Sequence, residues 1–190
     1  IMSDRIETGT FCVVATLTKG DLLIKNFDPK LIKTELSILK KVGAKIRLFK
    51  NSIHIKGPKK IKSIRNIVTK EYDGFPTDLA PQFMVLLCRA NGTSSITENI
   101  FQGRFLHAME LQRLGAKISI KNRTAKIEGN TNFIAAEVMS SDLRASAALV
   151  LAGIVSKGNT IVTRVYHCDR GYENFENKLK KIGVKIKRLK

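Results

Sequence analysis

Gly43-Ala44-Lys45-Ile46, Gly115-Ala116-Lys117-Ile118 and Gly183-Val184-Lys185-Ile186 are one phrase written three times. One and four places before each glycine stands an apolar residue: Val42 and Leu39, Leu114 and Leu111, Ile182 and Leu179. That spacing predicts a buried helical stripe ending at a glycine, where the backbone must turn left-handed. Alternating strands and tight turns follow twice, through Asn51-Ser52 and through Asn122-Arg123. The third copy stops at Lys190, before any hairpin.

Read backwards from these phrases, the three copies keep the same plan. Each opens with a hydroxyl residue and an aspartate: Ser3-Asp4, Thr77-Asp78 and Ser141-Asp142. An apolar segment then leads to a turn glycine, Gly20, Gly92 or Gly158. Strand-like stretches follow at Asp21 to Phe27, Thr93 to Phe101 and Asn159 to His167. Val68 to Lys70 and Glu137 to Ser140 read as strands leading into the next copy, and Gly57 to Lys62 as a basic linker. A repeat of this length is a whole βαβαββ unit rather than a solenoid turn. The expectation is one α/β domain over residues 1–190 with pseudo-threefold symmetry, its copies at about 1–62, 63–130 and 131–190 and the last truncated.

Composition bounds the function. The chain has 190 residues, 43% of them hydrophobic, enough for a sizeable core. Its longest apolar run, Ala147 to Val155, falls far short of the ~20 residues of a membrane-spanning helix. Asp4, Arg5 and Glu7 stand where a signal peptide would need an apolar core. The opening Ile1-Met2 points to part of a longer protein or an unusual start codon. Cys12, Cys88 and Cys168 form no CxxC pair and do not cluster with His54, His107 or His167. A zinc site and a disulfide framework are therefore not expected; a reducing cytoplasm is, with each cysteine a small buried hydrophobe. The formal charge of +18 raises affinity for anions of every kind. The lysines, however, are spread over the chain and read as solvated surface.

Two sets of residues carry candidate chemistry. Asp4, Asp78 and Asp142 stand where helices start, and an aspartate there caps free backbone N–H groups for about 1 kcal/mol. At Asp78, approached through the stiff Phe75-Pro76-Thr77, a cap and a catalytic base are equally good readings. Arg144 falls in the first turn of its helix, and Arg104 and Arg170 each stand between a strand and the next helix. A cation at a helix N-terminus opposes the macrodipole, which makes sense if anions bind there. Each alone could equally be a surface or ion-paired arginine. Phe101 and Tyr166, near the same junctions, are expected in the core.

Four segments carry a resemblance. They are Asp4-Arg5-Ile6-Glu7-Thr8-Gly9-Thr10, Phe75-Pro76-Thr77-Asp78, Asp142-Leu143-Arg144-Ala145-Ser146 and Arg164-Val165-Tyr166-His167-Cys168-Asp169-Arg170-Gly171-Tyr172-Glu173. Together they resemble the enolpyruvyl transferases, and within them the UDP-N-acetylglucosamine 1-carboxyvinyltransferase branch, over essentially the whole chain and its C-terminal portion only. The resemblance implies a two-domain enzyme, each half an inside-out α/β barrel of three βαβαββ units, with the active site between. It also implies transfer of enolpyruvyl from phosphoenolpyruvate to the 3-hydroxyl of UDP-N-acetylglucosamine, the first committed step of peptidoglycan synthesis, without metal or organic cofactor.

By the same resemblance Asp78 contacts the sugar hydroxyl and takes its proton. Ile100, through its backbone, and Phe101 lie against the sugar nucleotide. Arg104, Arg144 and Arg170 surround phosphoenolpyruvate, and Asp142 supports the cleft beside Arg144. The family's N-terminal domain, with its proton-donor loop, is absent from these residues, so the isolated chain is expected to be inactive. The family also threads a segment from the N-terminus of the full chain into this domain; without it a strand edge or groove is expected to lie open. The competing readings are a non-catalytic remnant of a split gene and a basic nucleic-acid-binding module. The second lacks aromatic RNA-binding motifs, a basic helix and a zinc knuckle.

Overall fold

The computed structural model describes residues 3–189; Ile1-Met2 and Lys190, on which the readings of the two ends rest, lie outside the described residues. The chain opens on helix α1 (Arg5–Leu17), started by Asp4, whose carboxylate accepts from the N–H groups of Ile6 and Glu7 at 2.6 and 3.1 Å. Strand β1 (Asp21–Lys25), helix α2 (Lys33–Lys41) and the hairpin β2 (Lys45–Phe49) and β3 (Ser52–Lys56) complete the first unit. The second contains β4 (Ile67–Val68), α3 (Ala80–Cys88), β5 (Thr93–Thr97), α4 (His107–Arg113), β6 (Lys117–Lys121) and β7 (Thr124–Glu128). The third contains β8 (Glu137–Met139), α5 (Leu143–Ile154), β9 (Ile161–Thr163), α6 (Tyr166–Asp169) and α7 (Phe175–Lys181).

The sheets follow from the connections. Adjacent segments joined by tight turns pair antiparallel, giving β2 against β3 and β6 against β7. The pairs β4–β5 and β8–β9 are parallel, and each is bridged by a helix, α3 or α5, as a parallel crossover requires. The resulting orders are β1-β3-β2, β4-β5-β7-β6 and β8-β9. Each sheet turns one face inward: Ile53 and Ile55 of β3 and Ala125 and Ile127 of β7 are wholly buried. Lys45 and Lys56 in the first sheet and Lys117, Lys121 and Lys126 in the second face solvent. The period of two thus sorts isoleucine inward and lysine outward.

Helices lie inside the sheets, as the inside-out architecture requires. All nine residues of α3 are buried, and α3 packs against both α1 and α5. An all-apolar surface such as Phe83-Met84-Val85-Leu86-Leu87 has no solvent-facing side to offer, so it sits at the centre. One polar contact is enclosed there. The Tyr172 hydroxyl and Thr10 Oγ1 are 2.8 Å apart, and Gln82 Nε2 donates to both at 3.0 and 3.1 Å. It ties all three units together.

The repeated glycine phrase has the predicted geometry. Gly43, Gly115 and Gly183 adopt φ of +111°, +95° and +93°. In each copy the glycine N–H bonds three residues back and the next N–H five residues back: Ala44 to Leu39, Ala116 to Leu111 and Val184 to Leu179. This Schellman closure turns the chain off the helix and into the next segment.

The third unit differs from the sequence expectation. Only Ile161–Thr163 of the stretch Asn159 to His167 is strand; from Tyr166 the chain coils into α6. Tyr166 is consequently 59% exposed rather than in the core, and Phe101 is likewise 50% exposed. No hairpin follows α7 among the described residues. A groove of about 510 Å³ lies there instead, lined among others by Val14, Leu22, Ile154, Ile182 and Val184. The edge of β1 away from β3 has no strand partner among the described residues.

Cys12, Cys88 and Cys168 are unbridged and buried. Burial pushes each thiol up to about 12, so none is a thiolate near neutral pH. With Ellman's reagent at pH 8 the native chain should release no thiol colour, whereas the denatured chain should react at all three. Replacing Tyr172 by Phe strips the central knot of the hydroxyl and should cost about 1–2 kcal/mol, read from the urea midpoint.

Candidate active site

Three helix starts carry an aspartate, and they are not used alike. Asp142 behaves as Asp4 does, accepting from the N–H groups of Arg144 and Ala145 at 2.8 and 2.9 Å. Asp78 makes no cap bond. The two donors a cap would use are missing: the Ala80 N–H is bonded to the Thr77 carbonyl, and Pro81, at the next position, has none. At the 3₁₀ turn Thr77–Leu79 the Asp78 carboxylate is thus left without a backbone donor. Of the two readings open in the sequence, the cap is excluded.

Two arginines hold that carboxylate instead. Arg144, in the first turn of α5, places Nη2 2.9 Å from Oδ2, and Arg104, in the loop before α4, places Nη2 3.4 Å from Oδ1. Arg144 is the more deeply set of the two, and its guanidinium also lies over the Tyr172 ring, 5.9 Å from the centroid. Arg104 stacks over Phe101 at 4.7 Å, which gives that exposed ring a partner on the surface. A small cavity of about 60 Å³ adjoins the pairs, with Thr77, Arg104, His107, Asp142 and Arg144 in its wall.

Arg170 stands apart from this cluster. It caps the C-terminus of α6, is exposed, and makes no ion pair among the described residues. Its position at a helix end, where a cation suits the macrodipole, removes the argument that made it anomalous in the sequence. Asp142 supports Arg144 through the backbone, not through the guanidinium, which is Asp78's partner.

Ile100 and Phe101 are held by a residue that sequence reasoning passed over. Glu98 is 1% exposed, and its Oε1 accepts from the N–H groups of Ile100 and Phe101 at 2.7 and 3.1 Å and from the Thr69 hydroxyl at 2.7 Å. Its Oε2 accepts from the Thr77 hydroxyl at 2.6 Å. Burial acts to raise the Glu98 pKa, but these hydroxyl and N–H donors outweigh it and hold the carboxyl below its usual range. His107 was also passed over. It is buried with no partner for Nε2 among the described residues, and burial, reinforced by Arg104 and opposed by Asp142, pushes its pKa down to about 4. A lone glutamate beyond a strand and a lone histidine at a helix start carry no sequence signal; only the packing reveals them.

A family model described as EPSP synthase (3-phosphoshikimate 1-carboxyvinyltransferase) matches residues 1–179. The chain belongs to this family. Among curated relatives, the UDP-N-acetylglucosamine 1-carboxyvinyltransferase of Pelagibacter ubique (strain HTCC1062) is 59% identical over 189 residues, covering 100% of this chain and 45% of the relative. That of Desulfosudis oleivorans (strain DSM 6200 / JCM 39069 / Hxd3) is 51% identical with the same coverage. The chain therefore spans about 45% of the length of these relatives. Among solved structures, the enolpyruvyl transferase NikO from Streptomyces tendae superposes with a TM-score of 0.88 at 24% identity, over 98% of this chain and 44% of that one. EPSP synthase from Acinetobacter baumannii superposes at 0.82 and 20% identity, over 100% of this chain and 48% of its own.

The site has a pH dependence that can be read from Asp142. Burial acts to raise its pKa, but the Ala145 N–H, the Ser141 hydroxyl and the Arg144 N–H outweigh it and hold the carboxyl below its usual range. A depressed carboxyl stabilises the fold fully above its unfolded value and loses that contribution as pH falls through the folded one. Wild-type stability should therefore fall as pH drops below about 4, and Asp142→Asn should flatten that part of the profile in acid urea titrations.

Proposed function

We propose that this chain is the substrate-binding C-terminal half of an enzyme that moves enolpyruvyl from phosphoenolpyruvate to the 3-hydroxyl of UDP-N-acetylglucosamine, releasing phosphate, as in peptidoglycan synthesis. The observation that carries this reading is Asp78, a helix-start carboxylate that caps nothing and is held between two guanidinium groups. The identity to relatives bearing that activity in their names supports the choice of acceptor.

The chemistry follows from the pairing. Phosphoenolpyruvate carries a carboxylate and a phosphate, both suited to guanidinium forks. Its arrival gives Arg104 and Arg144 competing anionic partners and loosens their hold on Asp78. The freed carboxylate takes the proton of the sugar 3-hydroxyl as that oxygen bonds to C2 of the enolpyruvyl group. The C2–C3 π electrons take a proton at C3 from a donor outside this chain, giving a tetrahedral intermediate. Loss of a C3 proton with the C2–O bond to phosphate then regenerates the enol ether. The arginines stabilise the negative charge on the departing group. Arg170 joins them by moving toward the bound anion. Ile100 offers a ligand its carbonyl, because its N–H is already spent on Glu98. The partner is the remaining half of the enzyme, and the groove beside β1 is where a segment of it would add.

Phosphate release tests this. The chain alone should be silent with both substrates and active when mixed with the remaining half of the Pelagibacter relative. In that mixture Asp78→Ala should lower turnover by about 100-fold or more while the urea midpoint of the chain moves little. Silence of the mixture with a folded chain overturns the reading, and so does full activity of Asp78→Ala.

A further inference from the structure

We infer that Glu98 is a positioning residue of the site, setting the turn that carries Asp78 and the loop that carries Ile100, Phe101 and Arg104 in one fixed register; the inference rests on the reading of that site as the sugar-nucleotide cleft. The two segments come from different places in the chain and share no regular structure. Thr77–Leu79 is the 3₁₀ entry to α3, whereas residues 98–106 form the loop between β5 and α4. Besides the long Arg104–Asp78 ion pair, one buried carboxylate links them. Oε2 takes the Thr77 hydroxyl, next to Asp78, and Oε1 takes the Ile100 and Phe101 N–H groups. The Thr69 hydroxyl both donates to Oε1 and accepts from the Asn99 N–H at 2.8 Å, which adds β4's end to the same knot.

Four donors on a buried carboxylate leave no freedom of rotation. The Glu98 backbone is fixed as well, its N–H donating to the Arg123 carbonyl at 2.7 Å in the turn between β6 and β7. Glu98 is therefore held by the second sheet and holds both walls of the site. The consequence reaches the reacting groups. Phe101 is the ring on which Arg104 stacks, and Arg104 is one of the two partners of Asp78. A shift of the 99–101 backbone moves the ring, the guanidinium and the carboxylate together. Glu98 touches none of the reacting atoms itself. Its role is to make the separation between Asp78 and the Ile100 carbonyl a constant of the fold.

The chemistry separates two substitutions. Glutamine keeps a carbonyl oxygen for the loop donors and turns an NH₂ toward Thr77, whose hydroxyl can accept in reply. Alanine removes every acceptor. The test is amide hydrogen exchange on the chain, with binding of UDP-N-acetylglucosamine measured by calorimetry on the same samples. Glu98→Ala should speed exchange of the Ile100 and Phe101 amides by about tenfold or more, leave the amides of α3 and β7 unchanged, and weaken the sugar nucleotide by about tenfold. Glu98→Gln should keep both within about threefold of wild type. Thr77→Val, which leaves the loop donors in place, should weaken binding without exposing the loop amides, and it replaces the alanine variant should that one not fold. Wild-type exchange at Ile100 and Phe101 in Glu98→Ala overturns the proposal. Uniform loss of protection across the whole chain in both Glu98 variants, with no excess at the loop, also overturns it and reduces Glu98 to a general stabiliser. If the wild-type chain binds no UDP-N-acetylglucosamine, the reading of the substrate fails while the exchange data still decide the role of Glu98.

Discussion

Everything in this molecule depends on burying three helices inside a ring of sheets. All nine residues of α3 are buried and only Gln82 among them is polar, and a helix of that kind is stable only when other elements cover it completely. The helices α1 and α5 cover two of its sides and the inward faces of the sheets cover the rest. The enclosure explains why lysines crowd the outward strand faces, where with Asp21, Arg47 and Glu128 they meet solvent. It also explains why the polar groups at the centre turn to one another: Gln82 Nε2, the Thr10 hydroxyl and the Tyr172 hydroxyl share hydrogen bonds, while Gln82 Oε1 finds no partner among the described residues.

The site is a by-product of that packing. Because α3 and α5 lie against each other, their N-terminal ends come together, and Asp78 meets Arg144 across 66 positions of sequence. The same stacking at α1 produces nothing comparable. Asp4 is consumed as a cap, and the neighbouring Arg5 lies over the Tyr72 ring at 4.9 Å. Whether such an aspartate serves as a cap is decided by the donors around it. Asp4 and Asp142 have two free N–H groups within reach; Asp78 has a proline and an N–H already taken.

Charge is distributed with the same economy. A net +18 is a poor guide to function, because most of it is solvent-facing lysine. Two arginines are set apart from it by their restricted partners. Arg144 is bracketed by a carboxylate and an aromatic ring, Arg104 by the same carboxylate and a different ring.

The threefold repeat, its helix ends and its hairpins were legible in the sequence, because glycine closure and alternating burial are local requirements that any fold must meet. The third unit was legible only in part: Asn159 to His167 has strand composition throughout, yet α6 begins at Tyr166 because the chain there packs Cys168 and Tyr172 inward. Asp78, Arg104 and Arg144 could be named from sequence, since their residue types and their places at element junctions are local facts. Whether Asp78 was a cap could not, for it turned on which N–H groups remained free. Arg170's separation from the ion pairs, the exposure of Phe101 and Tyr166, and the roles of Glu98 and His107 were decided by tertiary structure alone. Two of the four donors on the buried Glu98 carboxylate, the Thr69 and Thr77 hydroxyls, come from 29 and 21 residues away, and no short window of sequence holds them together.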